Sequence, residues 1–177
     1  MDDFSIETHP FAPVLPPRAR VMMMGTFPPA AAKRCMAFHY PNFQNDMWRI
    51  YGLVFFNDAG YFQVAGEKRF DAGKIRDFLM AHNIALCPTV RRAVRERGNA
   101  SDKFLRIVEP VDLGAVLAQL PDCRWLFTTG GKATETLLSL LEPAPPMPPV
   151  NQAVAFDYHG RHLQLCRLPS SSRAYPL

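Results

Sequence analysis

The chain has few cysteines, and none of them is spaced to bind a metal. Its 177 residues include four, at positions 35, 87, 123 and 166. Zinc sites and iron–sulfur clusters need cysteines that lie about two to four residues apart, and this chain has no such pair. We therefore expect four free or buried thiols, no metal and no cofactor.

Long apolar runs and a basic start are also missing. No stretch approaches the roughly 18 apolar residues of a membrane helix, and Met1-Asp2-Asp3 lacks the basic beginning of a secretory signal. With 48% hydrophobic residues the length suits one globular domain over 1–177. We expect a cytoplasmic monomer that does not bind membranes.

Positive charge is present in modest excess and is unevenly spread. The formal net charge is +4 and the isoelectric point is near 9.0. Clustered Lys and Arg gain affinity for nucleic acid by releasing counterions from phosphates. The cluster here is Arg91, Arg92, Arg95, Arg97, Lys103 and Arg106. It is either a phosphate-binding surface or a solvated helix face.

Strand-like and helix-like segments alternate along the chain. Apolar runs at 21–24, 84–86 and 125–128 predict buried strands, and 153–157 with 162–168 predicts a hairpin. Helical spacing appears over 45–56, after the potential caps Asp71 and Asp112, and over 132–141. This order favours a parallel sheet with helices on both faces.

Two loops follow predicted strands and carry polar chemistry. Gly25-Thr26-Phe27-Pro28-Pro29 has a glycine that lets the backbone turn so that its amides face an acceptor. Leu168-Pro169-Ser170-Ser171-Ser172-Arg173 offers hydroxyls and a cation to phosphates. Open α/β sheets bind ligands at such strand ends. Either loop taken alone could also be an ordinary turn, and neither has the Gly-Lys-Ser/Thr of a P-loop.

A third segment, residues 38–48, is rich in aromatic and amide side chains. A nucleobase needs aromatic faces for stacking and amides to read its edge. Asn45 and Trp48 admit a second interpretation, in which Asn45 caps a helix and Trp48 belongs to the core.

In this order and at this separation, Gly25-Thr26-Phe27-Pro28 and Leu168-Pro169-Ser170-Ser171-Ser172 resemble the two signature motifs of the uracil-DNA glycosylase superfamily. Tyr40-Pro41 followed by Asn45 and Trp48 resembles the second signature of its hypoxanthine-DNA glycosylase, mismatch-specific branch. Segments 83–86, 99–103 and 127–133 resemble further parts in order, so the likeness spans nearly the whole chain. It implies an α/β fold, a three-layer α/β/α sandwich with a central, mostly parallel four-stranded sheet.

The resemblance also implies a function. It indicates a monofunctional DNA glycosylase that excises a deaminated or mispaired base, uracil or hypoxanthine, from double-stranded DNA during base-excision repair. The implied catalytic residues are Asn45, which would position water, and His39, which would assist the leaving base. The implied base-binding residues are Gly25, Thr26, Phe27, Pro28 and Tyr40. The implied DNA-binding residues are Ser170, Ser171, Ser172, Arg173, Tyr175, Ser101 and Lys103, with Arg173, Ala174 and Tyr175 as candidates for a wedge that fills the gap left by the base.

Two positions depart from the superfamily pattern. Phe27 stands where many relatives have Asp or Asn, and Leu168 stands where efficient uracil-specific relatives have a histidine. Losing one preorganised donor typically costs about 100-fold or more in rate, so slow turnover is expected. Two other classes stay open, a catalytically silent nucleic-acid-binding protein of this fold and an enzyme acting on small nucleosides or nucleotides.

Overall fold

The computed structural model describes residues 5–96 and 104–173. Ser101, Lys103, Ala174 and Tyr175, expected to contact DNA, lie outside this range. In chain order the elements are β1 (Glu7–Thr8), β2 (Val21–Met24), a short 3-10 turn (Ala31–Lys33), α1 (Met47–Phe56), α2 (Ala72–Ala81), β3 (Ile84–Leu86), β4 (Val90–Arg95), β5 (Leu105–Pro110), α3 (Leu113–Ala118), β6 (Trp125–Thr129), α4 (Gly131–Leu138), β7 (Ala153–Tyr158) and β8 (Arg161–Leu168).

A sheet with the strand order β3-β2-β6-β8-β7 forms the centre of the fold. Its first four strands run parallel, and β7 adds an antiparallel edge through the hairpin with β8. The expected mostly parallel sheet is therefore confirmed, but it has five strands rather than four, because β7 adds an antiparallel edge strand to the four parallel ones.

Alternating side chains of β2 pack into two separate hydrophobic cores, one on each face of the sheet. Met22 and Met24 pack on one face with Leu117 of α3 and Leu137 of α4. Met23 packs on the other face with a cluster that includes Trp48 of α1 and Ile75 of α2. Because helices cover both faces of the sheet, the architecture is the three-layer α/β/α sandwich that was expected.

Two helices begin where their capping residues predict. The side chain of Asp71 accepts a hydrogen bond from the Lys74 amide, and that of Asp112 accepts one from the Ala115 amide, both at 3.1 Å. Such a bond satisfies one of the amides that a helix N-terminus leaves without an intrahelical partner.

No helix in the described part of the chain is long and apolar enough to cross a membrane.

The described members of the basic cluster lie on strands, Arg91, Arg92 and Arg95 on β4 and Arg106 on β5, so their interpretation as a helix face is wrong. Arg97 and Lys103 lie outside the described residues. β1, β4 and β5 form a second, antiparallel sheet. Arg92 pairs with Glu109 at 3.5 Å, and Arg106 pairs with Glu96 at 3.6 Å. The register between β4 and β5 shifts around Arg92, which disrupts the period-two pattern that would have predicted a strand.

Candidate active site

A cavity of about 660 Å³ opens at the carboxyl ends of β2, β6 and β8. Six segments supply its wall: the N-terminal segment, the loop after β2, the segment before α1, the end of β3 with the residues after it, the turn between β6 and α4 with the start of that helix, and the end of β8 with the loop after it. The candidate residues in the wall are Gly25, Thr26, Phe27, Pro28, His39, Tyr40, Asn45, Ser170, Ser171 and Ser172. The topology thus brings the three segments singled out from the sequence into one site.

Main-chain pairing joins the segment before α1 to the final loop. Asn45 and Ser172 form an antiparallel bridge, and the Asp46 amide donates to the Ser171 carbonyl at 2.9 Å. The Arg173 guanidinium binds the Asp46 carboxylate, with its shortest contact 2.8 Å. Hydrogen bonding by Arg173 is the largest influence on the pKa of Asp46 and lowers it. Arg173 lies outside the cavity wall, at the edge of this junction.

Gly25 is required by the close approach of Tyr40. A Cβ atom at Gly25 would lie 2.8 Å from the Tyr40 hydroxyl. That hydroxyl is 2.8 Å from Oγ1 of Thr129, at the end of β6. The Gly25 carbonyl accepts from both the amide and the hydroxyl of Thr89, at 2.8 and 2.9 Å. The first loop is therefore fixed against two other segments at the point where it leaves β2.

Phe27 is held in place by a buried arginine. The Arg95 guanidinium lies over the Phe27 ring, 5.4 Å from its centroid, donates to the Pro28 carbonyl, and pairs with Glu7 at 2.8 Å. The Arg95 side chain is only 8% exposed. Phe27 therefore occupies a defined position on the cavity wall, which suits an aromatic face for a base.

Asn45 lies one residue before the N-cap of α1, which is Asp46, so the interpretation of Asn45 as the capping residue is wrong. Its Oδ1 accepts from the Met47 amide, the first of the helix, at 2.9 Å, and the same residue lines the cavity. Trp48 is fully buried, and its Nε1 donates to the His39 carbonyl at 2.9 Å. Among the described residues no hydrogen bond is made by Nδ2 of Asn45. Its amide group is therefore the part of the side chain available to a ligand.

His39 reaches the cavity wall, but not in the form expected for a donor to the leaving base. It is 3% exposed, and its Nε2 donates to the Ala12 carbonyl at 2.8 Å. Burial, reinforced by Arg76, lowers the pKa of His39 to about 4. The ring is neutral near pH 7 and its proton is on Nε2. Nδ1 can therefore accept a hydrogen bond but cannot donate one.

His9 is a wall residue that the sequence did not reveal. Its Nδ1 accepts from the Phe11 amide at 3.1 Å, and its ring meets those of Phe27 and His39 at centroid distances of 5.4 Å. Burial is the main cause that lowers the pKa of His9 to about 3, and the positive charge of Arg34 adds to it. His9 is therefore neutral, with its proton on Nε2.

Three charged side chains of the wall were also missed as site residues. Lys132 and Glu135 lie in the first turns of α4, and Arg167 lies near the end of β8. Glu135 is the one carboxylate among the described wall residues. The resemblance of 127–133 to the superfamily pointed to the turn that carries Lys132, and no sequence signal marked Glu135 or Arg167.

Potential metal ligands are sparse and scattered in the described ranges, 5–96 and 104–173. Within them no group of three or more His, Cys, Asp or Glu side chains is placed to hold an ion. All four cysteines are free thiols. Burial raises the pKa of Cys87 to about 12, which keeps it protonated.

Comparison with known proteins identifies the fold of this chain. No family model and no curated protein matches the chain. A solved structure does match, the solution NMR structure of a "putative Uracil DNA glycosylase" from Methanosarcina acetivorans, with a TM-score of 0.65 and 22% sequence identity. The match covers 96% of this chain and 87% of the other. At this identity the likeness establishes the uracil-DNA glycosylase-like fold and leaves the activity to be argued from the site.

Proposed function

We propose that this protein is a monofunctional DNA glycosylase that releases uracil or hypoxanthine from double-stranded DNA. The observation that carries the proposal is the junction of Asn45 with Ser172 at the mouth of the cavity. It brings a polar and aromatic pocket and a serine-rich loop to one place. A base turned out of the duplex would enter the pocket while the loop holds its backbone.

The pocket supplies the contacts that an extruded base needs. Phe27 offers a half-buried aromatic face, and Tyr40 approaches from the segment before α1. Because the Tyr40 hydroxyl is already bonded to Thr129, its ring has a fixed orientation. The amides of Thr26 and Phe27 lie where the chain leaves β2 and would bind the negative charge that develops on the departing base.

The reaction needs only water and the DNA substrate. The bond between C1′ of the deoxyribose and the base nitrogen breaks, its electron pair leaves with the base, and the sugar becomes oxocarbenium-like. Water then adds to C1′ and loses a proton, which gives an abasic site and the free base. The free amide of Asn45 would orient that water, and Glu135 is a competing candidate to accept its proton.

Contacts to the DNA backbone are proposed for the final loop. Ser170, Ser171 and Ser172 line the cavity, and the Ser172 amide donates to the Ser170 hydroxyl at 3.2 Å, which gives this loop a defined shape. Arg167 and Lys132 add positive charge to the same wall, and the buried Nε of Arg167 has no hydrogen-bond partner among the described residues. Phosphate oxygens would pair with these two cations at the cavity wall.

The test is base release from short duplexes that carry one uracil or one hypoxanthine opposite each normal base. Abasic sites are detected by strand cleavage in alkali. The Asn45→Asp variant keeps an oxygen that can accept from the Met47 amide but removes the amide donor, whereas Asn45→Ala removes both. If the amide orients water, both variants lose release by roughly 100-fold or more.

A matched control separates chemistry from helix capping. Asp71→Ala removes a side-chain hydrogen bond to an amide in the first turn of α2, outside the cavity wall, and should keep wild-type release. Release that survives Asn45→Ala and is lost in Glu135→Gln would move water activation to Glu135. Salt-sensitive duplex binding without any base release would instead identify a silent DNA-binding protein, the alternative that Phe27 in the first loop favours.

A further inference from the structure

The ring nitrogens of His9 and His39 have complementary hydrogen-bonding character, and this follows from their partners. The Phe11 amide can only donate, so Nδ1 of His9 carries no proton. The Ala12 carbonyl can only accept, so Nε2 of His39 carries one. In the neutral rings, His9 keeps an N–H on Nε2 and His39 keeps a lone pair on Nδ1.

Both rings belong to the cavity wall and lie next to each other. Their centroids are 5.4 Å apart with 35° between the ring planes. Among the described residues neither of the two remaining nitrogens makes a hydrogen bond. The buried surroundings keep both rings neutral, so the donor and the acceptor persist at physiological pH.

We propose that His9 and His39 together select bases that carry a carbonyl beside a ring N–H. The N–H of His9 would bind the carbonyl oxygen, and Nδ1 of His39 would accept from the neighbouring ring N–H. This assignment rests on the proposed glycosylase function and names its substrate class. His9 is thereby a specificity-determining residue, and His39 contributes to base reading rather than to leaving-group protonation.

Uracil and hypoxanthine both carry this edge, whereas cytosine and adenine present a ring acceptor beside an amino donor. The parent bases therefore place a donor against the N–H of His9 and an acceptor against the lone pair of His39. A site built to hydrogen-bond one pattern rejects the reverse pattern strongly, because its own polar groups are left unpaired. The pair thus distinguishes a deaminated base from the base it came from.

The experiment compares wild type with His9→Phe, which keeps an aromatic ring but has no N–H, on duplexes containing uracil or hypoxanthine. His162→Phe, on the exposed hairpin, is the matched control. We expect kcat/KM to fall by roughly 100-fold in His9→Phe and to stay at the wild-type value in His162→Phe. A duplex containing 3-methyluracil, which lacks the ring N–H, should resist wild-type enzyme.

Nitrogen-15 NMR of the histidine rings supplies a readout that does not depend on catalysis or on a variant folding. We expect His9 to be protonated at Nε2 and His39 at Nε2, with both Nδ1 atoms bare, and free uracil at millimolar concentration to shift the Nε2 signal of His9. Free cytosine serves as the control and should leave that signal in place. The opposite tautomer at either residue overturns the assignment.

The two proposals fail in different ways. Release by wild type that His9→Phe leaves unchanged overturns the base-reading assignment alone. Absence of release from every duplex overturns the glycosylase function and this assignment with it. Equal processing of uracil and 3-methyluracil removes the proposed role of His39.

Discussion

Acidification should destabilise this protein well above the pH at which its carboxylates titrate, because the buried His39 and the half-buried His9 are both held in neutral form. In the folded state the pKa values are about 3 for His9 and about 4 for His39, against 6.5 in the unfolded chain. Between these limits the unfolded chain binds more protons, so this stability is fully present above about pH 6.5, falls progressively as the pH drops below that value, and reaches its full loss at the folded pKa values.

The expected magnitude follows from the two shifts. Between pH 7 and pH 5 each histidine takes up nearly one proton only on unfolding, which lowers the free energy of unfolding by about 2 kcal/mol for each ring. The sum, about 4 kcal/mol, is a large fraction of the 5–15 kcal/mol typical of a folded protein. At pH 5 Asp46 still carries its charge, since Arg173 lowers its pKa.

Urea unfolding at pH 7 and at pH 5 measures this difference directly. The loss should fall from about 4 to about 2 kcal/mol in His9→Phe. Phe11→Leu is the packing control, because Phe11 contacts both histidine rings without titrating. It should lower stability at both pH values and keep the full difference between them. A wild-type free energy of unfolding that is the same at both pH values would refute the burial of neutral histidines.

Two further predictions concern the first loop and a buried thiol. Gly25→Ala places a Cβ 2.8 Å from the Tyr40 hydroxyl, so it should lower the free energy of unfolding in urea by about 1–3 kcal/mol and reduce base release. The control Gly73→Ala in α2, whose Cβ would have no contact closer than 3.6 Å, should not destabilise the protein. Equal stability of the two variants would show that the approach of Tyr40 is not a constraint. Because burial raises the pKa of Cys87 to about 12, this thiol should resist alkylation at pH 8 in the folded protein and react after unfolding. Mass spectrometry measures the labelling, and rapid labelling of the native protein would contradict the burial of Cys87.

The central sheet was predictable because its signals are local. The apolar runs at β2, β3 and β6 and the caps Asp71 and Asp112 each specify a short element without reference to distant residues. Their alternation then leaves few ways to build a sheet with helices on both faces.

The second sheet escaped prediction for a physical reason. β4 carries three arginines of unequal exposure, Arg91, Arg92 and Arg95, and has an irregular register around Arg92, so its alternation is broken. Its stability comes from long-range pairing with β1 and β5, and such pairing leaves little trace in the sequence of any one strand.

The place of His9 in the site was likewise not predictable from the sequence. It belongs to no motif and lies in an N-terminal segment with little regular structure. It reaches the cavity because Glu7 and Thr8 pair with Ala93 and Arg92 of β4. Asn45 and the serine loop, in contrast, follow strands or precede helices at recognisable positions. A residue placed by tertiary pairing alone can be assigned only once that pairing is known.

The measurement that tests the central claim most directly is release of uracil and hypoxanthine from duplex DNA by wild type, Asn45→Asp and the control Asp71→Ala. Our account predicts release by wild type and Asp71→Ala and a loss of roughly 100-fold or more in Asn45→Asp. No release by wild type from any duplex would contradict the proposed glycosylase activity. Release that Asn45→Asp leaves unchanged would contradict the role assigned to the Asn45 amide.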